Sequence, residues 1–290
     1  MTPDRTAFPR RDARSIKGCP SMELFARTIR LVATDLDGTL LRSDSTISPR
    51  TLRALGDIGA LGIPIVIVTA RPPRTVRTLA HQIAEGLAIC GNGAIVYDLA
   101  RAAIIAQTRL AATVAHALIG ELRAAIPGVA FAIEAGLRHG EEPDYAPTER
   151  DPTDGELRIA DALALSDGGV TKLIVRHPGW ALDALFERVG AIVGGRAAVT
   201  HSGAPFVEVA TPGVTKAAAL ADLCARRGIA RSDVLAFGDG LNDLPLLTWA
   251  GRGIAVANAH PAVLAAATLV TATNDEDGVA VVLERLVGSR

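Results

Sequence analysis

The chain has 290 residues, 49% of them apolar, and its 30 basic against 31 acidic side chains leave a net charge of −1. That length and apolarity suit one large or two modest folded domains and argue against a disordered chain. Near-neutral charge with only 3% aromatic residues gives no footprint for nucleic acid or for an anionic membrane surface.

Cys19, Cys90 and Cys224 are widely spaced, with no CxxC pair, so no disulfide framework is expected and a reducing, cytoplasmic setting fits. No apolar run approaches the ~18 residues of a membrane span. Residues 1–27 are polar and basic and are expected to form a flexible leader. Arg10-Arg11 lacks the apolar segment that a twin-arginine signal would need.

The first predicted element is a strand over 28–35, "TIRLVATD", whose continuous apolarity suits a parallel sheet covered on both faces. A helix follows over 48–62, with Ser48 as N-cap, Pro49 at the first helical position and Gly62 as its stop. Then come a strand over 63–70, a helix over 73–84 and a short strand over 87–90 ahead of "GNGA". This βαβαβ opening indicates a doubly wound α/β domain.

From about 95 to 205 the grammar changes. A helix (113–126), a strand (129–135), a polar loop (138–155), a strand (170–177), a helix (180–193) and a hairpin (197–210) suggest an inserted α+β domain with an open-faced sheet. The α/β grammar then returns. A helix over 214–228 stops at Gly228, a strand over 233–239 ends in Asp239, and a helix over 242–251 follows. A strand over 253–259, a helix from His260, the strand "TLVTA" and a helix near 278–287 complete the chain. The fold class expected is α/β, a doubly wound parallel-sheet core with an inserted α+β cap. The core takes residues 28–94 and 206–290, and the cap takes 95–205.

Three core strands end in polar groups: Asp35 with Asp37, Thr69, and Asp239. Ligands of open α/β sheets bind outside the carboxyl ends of the strands, so these groups are expected to converge. Asp35 and Asp239 make an oxygen-rich site of the kind that suits Mg²⁺. A metal-held, anionic Asp35 can act as a nucleophile on phosphorus. Asp37, off the metal, can hold a proton for the leaving group and later take one from water. Thr69 and Lys216 can contact the transferring phosphoryl group. Asp243 can complete the metal shell, with Asn242 as a helper. Asn92 and Gly93 in "GNGA", and Arg71, are candidate substrate contacts.

These segments resemble the haloacid dehalogenase superfamily, in particular Cof-like phosphatases with a type IIB cap. The motifs are "DLDGTL" (35–40), "VTAR" (68–71), Lys216 in "VTKAAAL" and "GDGLNDLPLL" (238–247). "CGNGA", "AGRGIAVANA" and "NDEDGVAVVLE" are similar to lesser landmarks of the same branch. The resemblance implies Asp35 as nucleophile, Asp37 as acid and base, and Thr69 and Lys216 as phosphate contacts. It places Asp239 and Asp243 on Mg²⁺, with Asp37 lending its backbone carbonyl. It implies a Mg²⁺-dependent hydrolase acting through an aspartyl phosphate on a small phosphorylated metabolite, sugar phosphates foremost, with neither nucleic acid nor membrane as partner. A phosphosugar mutase and a non-catalytic ligand-binding protein on the same fold are the alternatives. Substrate identity and oligomeric state are not legible.

Overall fold

The computed structural model describes residues 14–15, 28–79, 86–145, 157–201 and 204–289. The leader expected over 1–27 therefore lies outside the described residues, apart from the two-residue strand Arg14–Ser15. The end of the helix expected over 73–84 and most of the loop expected over 138–155 lie outside them too. The chain divides into two compact units. Among the described residues, one unit holds 14–15, 28–68, 86 and 220–289, and the other holds those within 69–79 and 87–219.

The first unit is a parallel sheet with helices. Its described strands lie in the order Ile65–Val68, Leu31–Thr34, Val234–Gly238, Arg252–Ala255, Leu269–Val270, Arg14–Ser15. Leu31 and Val32 of the second strand are fully buried, as are Val234 to Phe237 of the third, which is what continuous apolar runs require of a covered sheet. Counted along the chain from Leu31–Thr34, the first five of these strands run 2-1-3-4-5 in space. The order reverses between Leu31–Thr34 and Val234–Gly238, where Phe237 is in register with Thr34. Loops leaving the two strands on either side of such a reversal diverge and open a crevice at the carboxyl ends.

The helix Pro49–Ala60 starts as its sequence dictates. Ser48 Oγ accepts the Thr51 amide at 3.0 Å, and proline occupies the first turn, where its missing N–H costs nothing. It packs against the closing helix Gly278–Gly288, which buries Val282, Leu283 and Leu286.

The second unit contains an antiparallel meander of Leu87–Cys90, Ile95–Asp98 and Ala103–Gln107. The sequence reading gave residues 95–107 no strands. Separately, six strands form a mostly antiparallel sheet in the order Ala198–Thr200, Val207–Ala210, Lys172–Arg176, Ala130–Ala135, Arg138–Glu141, Leu157–Ile159. Arg138–Glu141, expected as loop, is a strand because its backbone pairs with the apolar strand Ala130–Ala135, whatever its own polarity.

One face of this sheet, with Phe131, Ile133, Leu173, Val175, Val207 and Val209, packs on the helices Ala112–Ala125 and Leu182–Val193. The helices contribute Leu118, Ile119, Leu122, Leu185 and Val189 to that core. Strand alternation turns Glu134, Lys172 and Glu208 to the opposite face. No helix among the described residues is long and apolar enough to cross a membrane.

Candidate active site

Asp35 follows the strand Leu31–Thr34 directly, and its amide donates to the Phe237 carbonyl at 3.1 Å. The chain then turns at once: Leu41 N–H closes the Leu36–Leu40 loop on the Leu36 carbonyl at 2.8 Å, and Gly38 sits at φ +73°. Gly38 also meets a second constraint, since a Cβ there would lie 2.5 Å from Asp239 Oδ2. Only glycine satisfies both.

On the far side of the strand reversal, Val234–Gly238 delivers Asp239, whose Oδ1 accepts the Thr39 hydroxyl at 2.6 Å. The chain folds back so that Asp243 Oδ2 accepts the amides of Asp239 and Gly240 at 3.1 and 3.0 Å. These bonds fix Asp243, which has no solvent exposure, beside Asp239. Asp35, Asp239 and Asp243 each offer a carboxylate oxygen, all within 4.8 Å of one another. Asp35 is only 6% exposed. Three crowded carboxylates repel, and hard oxygen donors at this spacing fit a divalent cation that would remove the repulsion. The Asp37 carboxylate is not in this group, and the residue is exposed. Asn242 is half-buried in the Leu241–Asp243 turn.

Two segments with no role read from sequence hold the chain that follows Asp35. Asn258 Nδ2 donates to the Gly38 carbonyl at 2.7 Å, and Asn258 Oδ1 accepts the Asn274 amide at 2.9 Å. Asn274 Nδ2 in turn donates to the Leu41 carbonyl at 2.9 Å. Arg42 pairs with Asp277 at 2.8 Å, and Ser43 donates through its amide and hydroxyl to Asp275. The asparagines lie in "AGRGIAVANA" and "NDEDGVAVVLE", so those landmarks had a physical reason that only the fold displays.

The second unit gathers the remaining candidates. Thr69 is fully buried, and its Oγ1 accepts the Arg71 amide at 3.1 Å. The Asn92 amide donates to the Thr69 carbonyl, and the Gly91 amide donates to the Arg71 carbonyl, both at 3.0 Å. Gly93 is where this turn meets the chain before Lys216: a Cβ there would lie 2.3 Å from the Thr215 carbonyl oxygen. Thr215 caps the helix Lys216–Arg226 by accepting the Ala218 amide at 3.0 Å, and Lys216 opens that helix with 1% exposure. Thr69, Arg71, Asn92, Gly93 and the start of the Lys216 helix therefore form one neighbourhood. Cys90, next to it, is inert: burial, with the Glu134 charge nearby, pushes its thiol up.

Sequence reasoning missed the charged residues beneath this neighbourhood. Lys172 Nζ meets Glu208 Oε1 at 2.6 Å, and Arg74 meets Glu134 at 3.2 Å. All four are buried. The available signal was a lone charge at an alternate position inside an apolar strand, as in "AFAIEA", "TKLIV" and "FVEVA".

The sequence profile of the haloacid dehalogenase-like hydrolases matches residues 32–283. The chain is 30% identical to an HMP-PP phosphatase of Cronobacter sakazakii over 81% of this chain and 87% of that one. It is 28% identical to a pyridoxal phosphate phosphatase of Escherichia coli over 87% and 97% of the two chains. In fold it is similar to a sugar phosphatase of haloacid dehalogenase subclass IIB, with a TM-score of 0.73 over 88% of this chain and 98% of that one at 21% identity. The protein belongs to the haloacid dehalogenase-like hydrolases and is a phosphomonoester hydrolase of that superfamily.

Proposed function

We propose that this protein is a Mg²⁺-dependent phosphatase of small phosphorylated metabolites, sugar phosphates foremost, working through an aspartyl phosphate on Asp35. The observation that carries the reading is the convergence of Asp35, Asp239 and Asp243 oxygens within 4.8 Å beside the strand reversal. The relatives support the substrate class, since they act on HMP-PP, pyridoxal phosphate and sugar phosphates. Asp35, Asp239 and Asp243, with the Asp37 carbonyl, would hold the metal. When bound, it supplies charge neutralisation for the phosphoryl oxygens.

In this reading an Asp35 carboxylate oxygen attacks phosphorus while the bond to the leaving alkoxide breaks. Asp37 gives that alkoxide its proton. Asp37 then takes a proton from water, which attacks the phosphorus of the aspartyl phosphate. The bond to Asp35 breaks, and inorganic phosphate and the free carboxylate result. Thr69 and Lys216 hold the phosphoryl oxygens, the ammonium offsetting charge that grows in the transition state. Arg71, Asn92, Gly93 and Asn242 contact substrate. Residues 28–94 and 206–290 carry the chemistry, and 95–205 choose the leaving group. A cytoplasmic setting belongs to the same reading, which the buried free thiols of Cys90 and Cys224 suit.

Asp35→Asn is expected to abolish phosphate release from p-nitrophenyl phosphate, with an unchanged circular dichroism spectrum and unfolding transition. Retained turnover in the folded variant rejects Asp35 as the nucleophile.

A further inference from the structure

The open face of the second unit's sheet carries a buried ion pair that nothing in the proposed chemistry uses. Lys172 Nζ donates to Glu208 Oε1 at 2.6 Å and to the Ala70 carbonyl at 3.1 Å. Glu208 Oε2 accepts Asn92 Nδ2 at 3.2 Å. Ala70 lies between Thr69 and Arg71, and the Asn92 amide bonds the Thr69 carbonyl. The contacts therefore close a ring: Ala70, Lys172, Glu208, Asn92, Thr69. Ile174 and Glu208 are in register on adjacent strands, so two rigid strands carry the ion pair, and two short turns hang from it.

We propose that the Lys172–Glu208 pair is a positioning device. It fixes the Thr69–Arg71 turn and the Gly91–Gly93 turn against each other, and so sets where the Thr69 hydroxyl and the Asn92 side chain present themselves to substrate. The catalytic consequence rests on the reading above that Thr69 contacts the phosphoryl group.

Three observations support a positioning rather than a stabilising role. A buried ion pair is a poor source of stability, because desolvation offsets the attraction, and its best-attested use is to fix geometry. Burial alone would lower the Lys172 pKa, yet the charges of Glu208 and Glu134 raise it above its ordinary value, so the ammonium persists and keeps its donors. The 91–93 turn is tied through its central side chain: Asn92 sits at φ +57°, a left-handed conformation that asparagine adopts more readily than other non-glycine residues, and its Nδ2 is held by Glu208 at 3.2 Å. Gly93 closely abuts Thr215, so a displaced 91–93 turn would disturb the start of the Lys216 helix as well.

The chemistry of the ring dictates the test. Both Glu208 oxygens accept, Oε1 from the Lys172 ammonium and Oε2 from the Asn92 amide and, at 3.4 Å, the Thr200 hydroxyl. Glu208→Gln keeps the shape but has a single accepting oxygen, so one donor then faces an NH₂ group. Glu208→Gln, Lys172→Met and the double variant are compared by amide hydrogen exchange and by p-nitrophenyl phosphate kinetics with Mg²⁺.

The amides of 69–71 and 91–93 are expected to exchange at least about tenfold faster in the single variants, while those of Ala130–Ala135 do not change. The kcat/KM is expected to fall roughly 10- to 100-fold, mostly in kcat, as for reacting groups displaced by about 1 Å. The double variant should be no worse than the poorer single one. Unchanged exchange in both turns, kcat/KM within twofold of wild type in folded Glu208→Gln, or additive losses each overturn the proposal. Wild-type protein inactive on all phosphomonoesters would remove the phosphatase reading, and the exchange comparison would still decide whether the pair holds the turns.

Discussion

Gly38→Ala is the sharpest single perturbation of the Leu36–Leu40 loop. Gly38 has φ +73°, where an L-residue with a Cβ costs about 1–2 kcal/mol. The added Cβ would lie 2.5 Å from Asp239 Oδ2 and 2.9 Å from its Cγ. The carboxylate must retreat by about 1 Å to reach van der Waals contact. That movement strains the 2.6 Å bond from Thr39, whose loss costs about 1 kcal/mol. The expected destabilisation is therefore about 2–3 kcal/mol, with a drop in Tm of roughly 3–5 °C for a chain of this length. Because Asp239 belongs to the metal-competent carboxylate group, kcat/KM should fall about 100-fold as well.

The assay pairs calorimetry with p-nitrophenyl phosphate turnover across a Mg²⁺ titration. Gly56→Ala is the control. It lies in the helix Pro49–Ala60 with nothing within 4 Å of its added Cβ, and should stabilise by about 0.5–1 kcal/mol without changing turnover. A Gly38→Ala variant with wild-type kcat/KM, or no less stable than Gly56→Ala, would refute the reasoning.

Further outcomes follow from the same geometry. Thorough chelation should abolish turnover, and Mg²⁺ at about 100 times its Kd should restore it and stabilise the fold by about 2.7 kcal/mol in calorimetry. Turnover that survives chelation would remove the metal from the reading. Asn274→Ala leaves the Leu41 carbonyl without its buried donor, which should cost about 1–3 kcal/mol in urea unfolding and lower kcat through a loosened 36–41 loop. A variant unaffected in both measurements would mean that the asparagine does not hold the loop.

Burial pushes the Asp277 carboxyl up, but hydrogen bonds from Ser48 and Arg42 outweigh it and hold the pKa below its ordinary value. A depressed carboxylate stabilises the fold in full above the unfolded-state pKa of about 3.9. The contribution is lost as pH falls from there through the folded pKa. Asp277→Asn should therefore narrow the stability gap between pH 6 and pH 3, and an unchanged acid-unfolding profile would contradict this.

The sequence by itself determined the elements whose signals are local. The helix Pro49–Ala60 was legible because Ser48, Pro49 and Gly62 act within a turn of where they stand. The strands Leu31–Thr34, Leu87–Cys90 and Val234–Gly238 were legible because full burial demands unbroken apolar runs. Asp35, Asp239, Thr69 and Lys216 could be picked out because strand ends and helix starts in an α/β sheet are where chemistry collects.

Tertiary structure decided what depends on partners far along the chain. Arg138–Glu141 is a strand only because Ala130–Ala135 lies beside it, so its own composition misleads. Asn258 and Asn274 hold the Leu36–Leu40 loop from more than 200 residues away, and Gly38 is required by the carboxylate of Asp239. Lys172 and Glu208 read in sequence as charges out of place in apolar strands. Their meaning lies in a buried ring that joins residues 70, 92, 172 and 208. Local propensity and periodicity are written within a few residues, whereas the pairing of a buried charge is written only where the chain returns to it.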